Sequence, residues 1–365
     1  VLALRIIIAA INSVQQAYVS RNMLFKRFFW STLFGTLFSG LVGIAMAYQG
    51  FGIWALVAQY LTNTCVDTVV LWFTVRWRPN FAFSIGRLQV LITYGWKILV
   101  SGLLDTGYNQ LRSLIIGKMY SSSDLAQYNK GQQFPQLIVA NINTSISGVL
   151  FPAIAQCQDD MDRVRDMTRR AIKVSSFVMW PLMVGLAVVA EPLISVMLTD
   201  KWLPCVPFLY IACFTFGLWP IHTANLEAMK AVGRSDLFLK LEIIKKIMGL
   251  AVLLVSMRYG VMAIAASQIL TSIISTFINA FPNQKLLKYK YTDQIRDMLP
   301  SFLLALLMGG LIYPVKCFVE SKILLIGVQV ILGAIVYVAG AKLFRNDSFV
   351  YLISIVNNRR TGKAE

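Results

Sequence analysis

Charged residues are scarce in this chain of 365 residues. Only 14% of the residues are Asp, Glu, Lys or Arg, and 57% are hydrophobic. Soluble domains carry about 25% charged residues, so the composition excludes an ordinary soluble domain. The mean hydropathy is +0.65. We therefore expect a membrane protein built from apolar spans.

Histidine and paired cysteines are scarce as well. The chain has one histidine, and its five cysteines show no paired spacing, which predicts neither a disulfide framework nor a zinc site. It also lacks a G-x-x-x-x-G-K-[ST] phosphate loop, so no nucleotide-driven motor is indicated. We predict no catalytic residue, no metal and no cofactor.

Basic residues are abundant, and the net charge is +17. They are distributed between apolar spans rather than gathered in one polar domain, which argues against a nucleic-acid partner. The predicted fold class is an all-α polytopic membrane protein with about 11 transmembrane helices of a probable 14. The predicted spans cover about 2–19, 30–48, 52–75, 91–117, 131–155, 174–197, 204–229, 241–257, 259–284, 298–315 and 323–341. A surface helix over 156–173 is expected before the sixth span.

The loops between the spans differ in basic charge. Of the 34 Lys and Arg, 26 belong to alternate loops and the tail, if Lys97, Lys245 and Lys246 at the adjoining span ends are counted with those loops; six belong to the other loops, and the remaining two are Arg5 and Arg112. Because basic loops stay on the cytoplasmic side, the pattern predicts a cytoplasmic C-terminus and an inward-running first span. An odd number of spans is then expected before Val1, so the chain is expected to lack an N-terminal part.

Two internal similarities indicate a parallel repeat of six spans. AYVSRNMLFK at 17–26 resembles AMKAVGRSDLFLK at 228–240, and Gln59 and Thr62 lie 209 residues before Gln268 and Thr271. The repeat predicts two six-helix lobes around a central cavity plus a C-terminal hairpin. The predicted domains are 1–75 (three spans of the N-terminal lobe), 76–90 (cytoplasmic linker), 91–284 (C-terminal lobe) and 285–365 (hairpin and tail).

One span carries a polar stripe. Spacings of four, three and four place Ser101, Asp105, Tyr108 and Arg112 on one helical face. A charge at mid-membrane costs at least about 2.5–3.5 kcal/mol, so this face should meet protein or water rather than lipid. We expect it to line a cavity; the alternative is that Asp105 and Arg112 pair to lock two helices together.

The third span has a second polar face, formed by Gln59, Asn63 and Asp67. Gln59 and Asn63 are predicted to line the cavity. Asp67 is a candidate for ion coupling, although a buried pair with a cation is a comparable interpretation.

The seventh span holds three further groups of interest. Pro220 is expected to kink the helix. His222 titrates near neutral pH when unperturbed and is a candidate for ion coupling, with an interhelical hydrogen bond as the alternative. Glu227 is a third candidate, and it could equally face the headgroup region.

Arg112 suits an anionic substrate. Its guanidinium keeps its charge, and its donor fork matches phosphate oxygens. Lys97 and Arg5 lie near span ends and are expected to assist it with further positive charge for an anionic head group.

Several stretches resemble polysaccharide transporters of the multidrug/oligosaccharidyl-lipid/polysaccharide flippase superfamily, in the branch that exports lipid-linked saccharides (the Wzx type). They are AYVSRNMLFKRFF, GFGIWALV, LRSLIIGKMYSSSDLAQYNKGQQFP, GVLFPAIAQCQDD and AVGRSDLFLKLEIIKK, at 17–29, 50–57, 111–135, 148–160 and 231–246. The resemblance implies a non-enzymatic flippase using alternating access driven by H⁺ or Na⁺. It implies a substrate, undecaprenyl-diphosphate-linked oligosaccharide, destined for O-antigen (lipopolysaccharide), capsule or exopolysaccharide.

The expected location is the bacterial inner membrane, with membrane lipid and other polysaccharide-assembly proteins as further partners. Two other functions stay open. A multidrug/cation antiporter of the same fold would need an acidic cavity, which Arg112 opposes. A membrane glycan polymerase or ligase usually needs a large outward loop, and every predicted outward loop is short.

Overall fold

The computed structural model describes residues 3–21, 25–75, 78 and 84–360. Within these ranges all regular structure is helical and no strand occurs, so the predicted all-α class is confirmed. The α-helices are α1 (Leu4–Arg21), α2 (Phe25–Tyr48), α3 (Ile53–Thr74), α4 (Ile85–Met119), α5 (Ser122–Ala155), α6 (Met161–Val188), α7 (Ala190–Leu198), α8 (Val206–Gly217), α9 (Trp219–Ala231), α10 (Ser235–Ser256), α11 (Val261–Leu286), α12 (Tyr291–Ile312), α13 (Lys322–Leu343) and α14 (Asp347–Arg360).

Every predicted span coincides with one or two of these helices. Seven helical stretches in the described ranges are long and apolar enough to cross a membrane by length and composition. They are 29–48, 122–155, 161–188, 200–231, 261–286, 291–317 and 322–343. The helices α1, α3, α4 and α10 carry more polar or charged residues, several of which belong to the polar faces described below.

The region before the sixth span differs from the prediction. Instead of a separate surface helix over 156–173, the basic segment forms the first turns of α6. Asp160 caps this helix, because its carboxylate accepts a hydrogen bond from the Arg163 backbone N–H at 3.0 Å. A capped N-terminus lets one helix continue from the polar segment into the apolar span.

The seventh predicted span is broken, as Pro220 predicted. The helix α8 ends at Gly217, and α9 begins at Trp219 with Pro220 in its first turn, where a missing N–H costs nothing. Gly217 lies against a tryptophan: a Cβ there would be 2.5 Å from the Trp180 ring. The break therefore stands where α8 crosses α6.

The chain divides into two compact units, residues 1–98 and 99–365. In unit 1, α3 packs against α1 and α2. Two glycines of α2 allow close approach of α3: a Cβ on Gly35 would lie 3.3 Å from the Asn63 carbonyl oxygen, and a Cβ on Gly43 3.2 Å from Gln59. The small apolar core of this unit contains Val19, Leu71 and Val75.

Unit 2 holds the larger apolar core. Trp180 of α6 is 2% exposed, and its ring packs edge-on against Phe302 of α12 at 4.4 Å between centroids. The helix α5 passes very close to the chain before α8, because a Cβ on Gly131 would lie 2.7 Å from the Cys205 carbonyl oxygen. These contacts fix α5, α6 and α8 around the site described below.

Buried polar groups tie α12 to the rest of unit 2. Asn225 of α9 exchanges hydrogen bonds with Gln294 of α12 at 2.7 and 3.1 Å. Asp297 accepts two hydrogen bonds from Arg169, at 2.7 and 2.9 Å, and one from the Tyr289 hydroxyl at 2.8 Å. Burial raises the pKa of that Tyr289 hydroxyl, so it stays a donor to Asp297.

Candidate functional site

A polar cavity of about 530 Å³ lies within unit 2. It is walled by α4, α5, α8, α9, α10 and α11, and its lining is mostly charged, amide or hydroxyl groups. These include Tyr108, Asn109, Arg112, Gln132, Asn143, Ser147, Thr223, His222, Glu227, Glu242, Lys245, Lys246, Gln268, Thr271, Ser272, Ser275 and Asn279. So many polar side chains on membrane helices indicate a site for a polar ligand.

Three cations and two carboxylates line this cavity. Lys245 forms an ion pair with Glu242 at 2.5 Å. Among the described residues, Arg112 Nη2 donates one hydrogen bond, a long one of 3.5 Å, to the Thr271 hydroxyl. Its Nε is buried without a hydrogen-bond partner, and no described carboxylate forms an ion pair with it. The guanidinium is thus a cation with unused donors.

Tyr108 lies beside Arg112 on the same face of α4. The Lys246 ammonium lies 5.6 Å from the Tyr108 ring centroid, within the range of a cation–π contact. The Tyr108 hydroxyl also contacts α10 at Gly249, where a Cβ would lie 2.2 Å from the oxygen. Gly249 therefore makes room for Tyr108, and this places Arg112 near Lys246.

Amide side chains continue the polar lining. Gln132 donates to Gln268 at 3.0 Å, and Gln268 in turn donates to the Tyr128 hydroxyl. The Thr223 hydroxyl donates to Asn143 at 2.7 Å. Neutral donors and acceptors of this kind complement the hydroxyl groups of a sugar.

His222 occupies a hydrogen-bonded position on the cavity wall. Its Nε2 lies 3.0 Å from the Thr276 hydroxyl, which donates to the Ser272 carbonyl at 2.8 Å. Its Nδ1 lies 2.9 Å from the Asn279 amide nitrogen. The pattern fits a neutral imidazole that donates from Nε2 and accepts at Nδ1. A second proton on Nδ1 would need the Asn279 amide to rotate, bringing its buried and unpartnered Oδ1 to the ring.

Glu227 lines the same cavity and forms an ion pair with Lys230 at 3.1 Å. The imidazole and the guanidinium face different turns of α11. Arg112 contacts Thr271 and His222 contacts Asn279, eight residues apart on that helix, which corresponds to about 12 Å. The cavity thus has a cationic part and an imidazole–carboxylate part.

Asp67 belongs to unit 1. Its Oδ2 accepts hydrogen bonds from Asn12 at 2.6 Å and from Gln16 at 3.3 Å, both on α1. Among the ion pairs of the described residues, none involves Asp67. Asn12 is 3% exposed, and its Oδ1 is buried without a partner. This is a carboxylate held by neutral amides.

The other predicted residues of unit 1 contact neighbouring helices. Arg5 Nε donates to the Thr64 hydroxyl at 3.0 Å, and its guanidinium lies 5.4 Å from the Tyr60 ring centroid. Asn63 donates to Ser39 of α2 at 3.4 Å, and Gln59 packs at Gly43 of the same helix.

The structure brings four predicted residues together, namely Tyr108, Arg112, His222 and Glu227. The side chains of Lys97, Ser101 and Asp105 lie outside the described residues. The sequence reasoning did not select the residues that α10, α11 and α5 contribute. A signal existed: 242, 245, 246 and 249 share one helical face, as do 268, 271, 272, 275 and 279. The sequence analysis counts Lys245 and Lys246 with the cytoplasmic loop after the seventh span, whereas both line the cavity. Within the described residues, no group of three or more His, Cys, Asp or Glu could hold a metal ion.

The membrane-length helices define a multi-pass membrane protein, and the polar cavity between them is its candidate site for a polar ligand. The polysaccharide biosynthesis protein family matches residues 1–207, more than half of the chain, and the chain therefore belongs to this family. The resemblance to polysaccharide transporters is confirmed.

Individual relatives agree with the family. Over 224 residues the chain is 25% identical to the succinoglycan biosynthesis transport protein ExoT of Rhizobium meliloti (strain 1021), covering 61% of this chain and 45% of ExoT. It is 22% identical over 324 residues to the teichuronic acid biosynthesis protein TuaB of Bacillus subtilis (strain 168), covering 88% and 67%. With the lipopolysaccharide biosynthesis protein WzxC of Escherichia coli (strain K12) it shares 23% over 225 residues, covering 61% and 46%. The chain thus spans about half the length of ExoT and WzxC.

A solved structure has the same fold. The lipid II flippase MurJ, in its inward closed conformation, superposes with a TM-score of 0.73, covering 94% of this chain and 72% of MurJ. The identity is 16%, so this similarity concerns the fold alone.

Proposed function

We propose that the protein is a flippase that moves an undecaprenyl-diphosphate-linked oligosaccharide across the bacterial inner membrane. The observation that carries the proposal is Arg112, a permanently charged guanidinium in a polar intramembrane cavity with a buried donor that has no partner. An anionic ligand would satisfy that donor. The names of ExoT, WzxC and MurJ, a transport protein, a lipopolysaccharide biosynthesis protein and a lipid flippase, support this class of substrate.

The diphosphate would bind at the cationic part of the cavity. Arg112 supplies a donor fork that matches phosphate oxygens, and Lys246 adds a second cation from α10. Lys245 is held by Glu242 and contributes mainly to the local field. In this proposal Lys97 and Arg5 guide the diphosphate on its way to Arg112.

The saccharide would be held by neutral groups. Gln132, Asn143, Thr223 and Gln268 offer donors and acceptors, and Trp219 on the same wall offers an aromatic face. The polyprenyl chain stays in lipid, because moving an apolar chain from lipid into a polar cavity would not lower its free energy. Alternating access of two lobes would then expose the head group on the other side of the membrane.

Ion coupling by H⁺ or Na⁺ forms part of the proposal. Asp67 is the strongest candidate because, among the described residues, its carboxylate accepts hydrogen bonds from neutral amides and forms no ion pair, so a bound cation or proton would balance its charge. Glu227 is already balanced by Lys230. His222 would exchange a proton only if Asn279 rotates. An Asp67→Asn variant should lose the response of transport to an imposed pH or Na⁺ gradient, whereas Glu227→Gln should keep most of it. If transport by the Asp67→Asn variant still responds fully to the gradient, Asp67 is not the coupling residue.

The orientation is also proposed from the charge pattern, with the C-terminus in the cytoplasm. Other polysaccharide-assembly proteins would then deliver the substrate on that side and polymerise it on the other.

The test is complementation of cells that lack the gene with Arg112 variants at matched protein levels. Arg112→Ala should abolish export of surface polysaccharide, and Arg112→Lys should retain part of it because a lysine keeps the charge without the fork. Gln110→Ala, an exposed position on the same helix that does not line the cavity, is the matched control and should export normally. Wild-type export by Arg112→Ala would contradict the assignment. Raised sensitivity to cationic drugs in deleted cells, with unchanged polysaccharide, would favour a drug antiporter instead.

A further inference from the structure

A second polar site lies at the other side of unit 2, where α6, α12 and α14 begin. A pocket of about 360 Å³, here named the basic pocket, is lined by Asp166, Arg169, Arg170, Lys173, Val174, Asp347, Ser348 and Tyr351. None of these residues lines the cavity that contains Arg112. The charge pattern predicts this end of the bundle to be cytoplasmic.

The cations around the basic pocket fall into two groups. Arg169 and Lys173 hold Asp297, and Lys173 also contacts Asp347 at 2.9 Å. Arg170 instead lies 4.7 Å from the Tyr351 ring centroid, and it forms no ion pair with a described carboxylate. Arg170 is therefore oriented by the ring while its charge stays available to an anion.

Two clefts open from the basic pocket, one on each side. The first, the α12 cleft, has about 460 Å³, shares Lys173 and Asp347 with the basic pocket, and adds two cations, Arg296 and Arg345. Its remaining walls are largely apolar: Pro300, Leu303, Leu304, Leu307 and Phe344. Neither Arg296 nor Arg345 forms an ion pair with a described residue.

The second, the α5–α6 cleft, has about 570 Å³ and shares Arg170, Val174 and Tyr351 with the basic pocket. Its walls are mainly aliphatic, including Ile142, Ile146, Val149, Leu150, Ala153, Met167 and Val178. Both clefts therefore continue from one cationic centre along the membrane-spanning parts of α5, α6 and α12.

From this arrangement we propose that the basic pocket binds the phosphate of an anionic glycerophospholipid, whose two acyl chains lie in the α12 cleft and the α5–α6 cleft. The occupant has one negative head and two apolar chains, as the site has one cationic centre and two mainly apolar clefts. Anionic lipids attract Lys and Arg side chains, and each such side chain raises the affinity for an anionic lipid by a factor of about five. This site is independent of the proposed transport substrate and would anchor α14 to α6 and α12.

The test uses purified protein in detergent, titrated with phosphatidylglycerol, with phosphatidylcholine of the same chains, or with inorganic phosphate. Bound lipid is counted by native mass spectrometry and protection is followed as Tm. The wild type should bind phosphatidylglycerol at least fivefold more tightly than phosphatidylcholine, and inorganic phosphate should protect far less. Equal binding of the two lipids, or equal protection by phosphate alone, would overturn the proposal.

The variant Arg170→Gln/Arg296→Gln should weaken phosphatidylglycerol binding at least tenfold, and the corresponding double lysine variant should retain most of it. The matched control is Lys285→Gln/Lys290→Gln, which removes two exposed cations from the same end of the bundle but outside the pocket. An equal loss in the control would mean that only general surface charge matters. Ala153→Phe fills the α5–α6 cleft without changing charge and should weaken lipid binding severalfold; unchanged binding would overturn the placement of the chain.

Discussion

The contact between Tyr108 and Gly249 can be tested by a change of a single methyl group. In Gly249→Ala the new Cβ would lie 2.2 Å from the Tyr108 hydroxyl oxygen but 3.5 Å from Cζ, an ordinary contact. The overlap therefore concerns the hydroxyl alone. Because Gly249 is buried on α10, Tyr108 must move, and overpacking of this kind costs about 1–3 kcal/mol.

Removing the hydroxyl should relieve the strain. In Gly249→Ala/Tyr108→Phe the overlapping hydroxyl is gone and the nearest ring atom, Cζ, lies 3.5 Å from the new Cβ. Alanine also has a higher helix propensity than glycine. We expect Gly249→Ala to lower Tm in detergent, Tyr108→Phe to change it little, and the double variant to recover most of the loss. The coupling energy should be about 2 kcal/mol in favour of the double variant.

Export of surface polysaccharide gives a second readout of the same series. Displacing Tyr108 should disturb Arg112 and Lys246, so Gly249→Ala should export less polysaccharide and the double variant more. If the double variant is as destabilised as Gly249→Ala, the close approach of α4 and α10 is wrong and the geometry of the cationic part fails with it.

Three further outcomes follow from the structure. Asp297→Asn should destabilise the protein by about 2 kcal/mol, which is more than the effect of Arg169→Gln, because Asp297 is buried while half of the Arg169 side chain is exposed. Thermal unfolding of both variants checks this, and the reverse order of stability would contradict the pairing. Gly131→Ala should cost about 2–3 kcal/mol because its Cβ would meet the backbone before α8, whereas Gly148→Ala, with nothing within 4 Å, should be neutral in the same assay. A membrane-impermeant maleimide should label the exposed Cys317 from outside intact cells; labelling only after the cells are opened would reverse the proposed orientation.

Much of the helical architecture was predictable from the sequence because hydropathy and helix breakers are local signals. Pro220 marked the break between α8 and α9, and each apolar run became helical. For the segment before the sixth span, i,i+4 pairs of opposite charge predict a helix, and its polarity predicts that this helix lies at the surface, separate from the apolar span. The Asp160 cap and the bonds from Arg169 to Asp297 instead hold it as the start of α6.

The site was only partly predictable. The polar stripe on α4 was predictable from residue spacing, because Tyr108 and Arg112 lie four residues apart and therefore share one face of an apolar helix. The positive-inside rule places Lys245 and Lys246 in a cytoplasmic loop. In the structure both line the polar cavity from α10, and the rule cannot distinguish these two locations. Contacts between distant helices, such as Tyr108 with Gly249, have no local signature and required the tertiary structure.

The central claim is that the protein moves a lipid-linked oligosaccharide, and the most direct measurement is the lipid content of cells that lack the gene. Extracted lipids should contain an accumulated diphosphate-linked oligosaccharide, confined to the cytoplasmic leaflet, while surface polysaccharide falls. Restoring the wild-type gene should clear the pool, and the Arg112→Ala variant should leave it in place. Absence of any accumulated saccharide, with surface polysaccharide unchanged, would contradict the account.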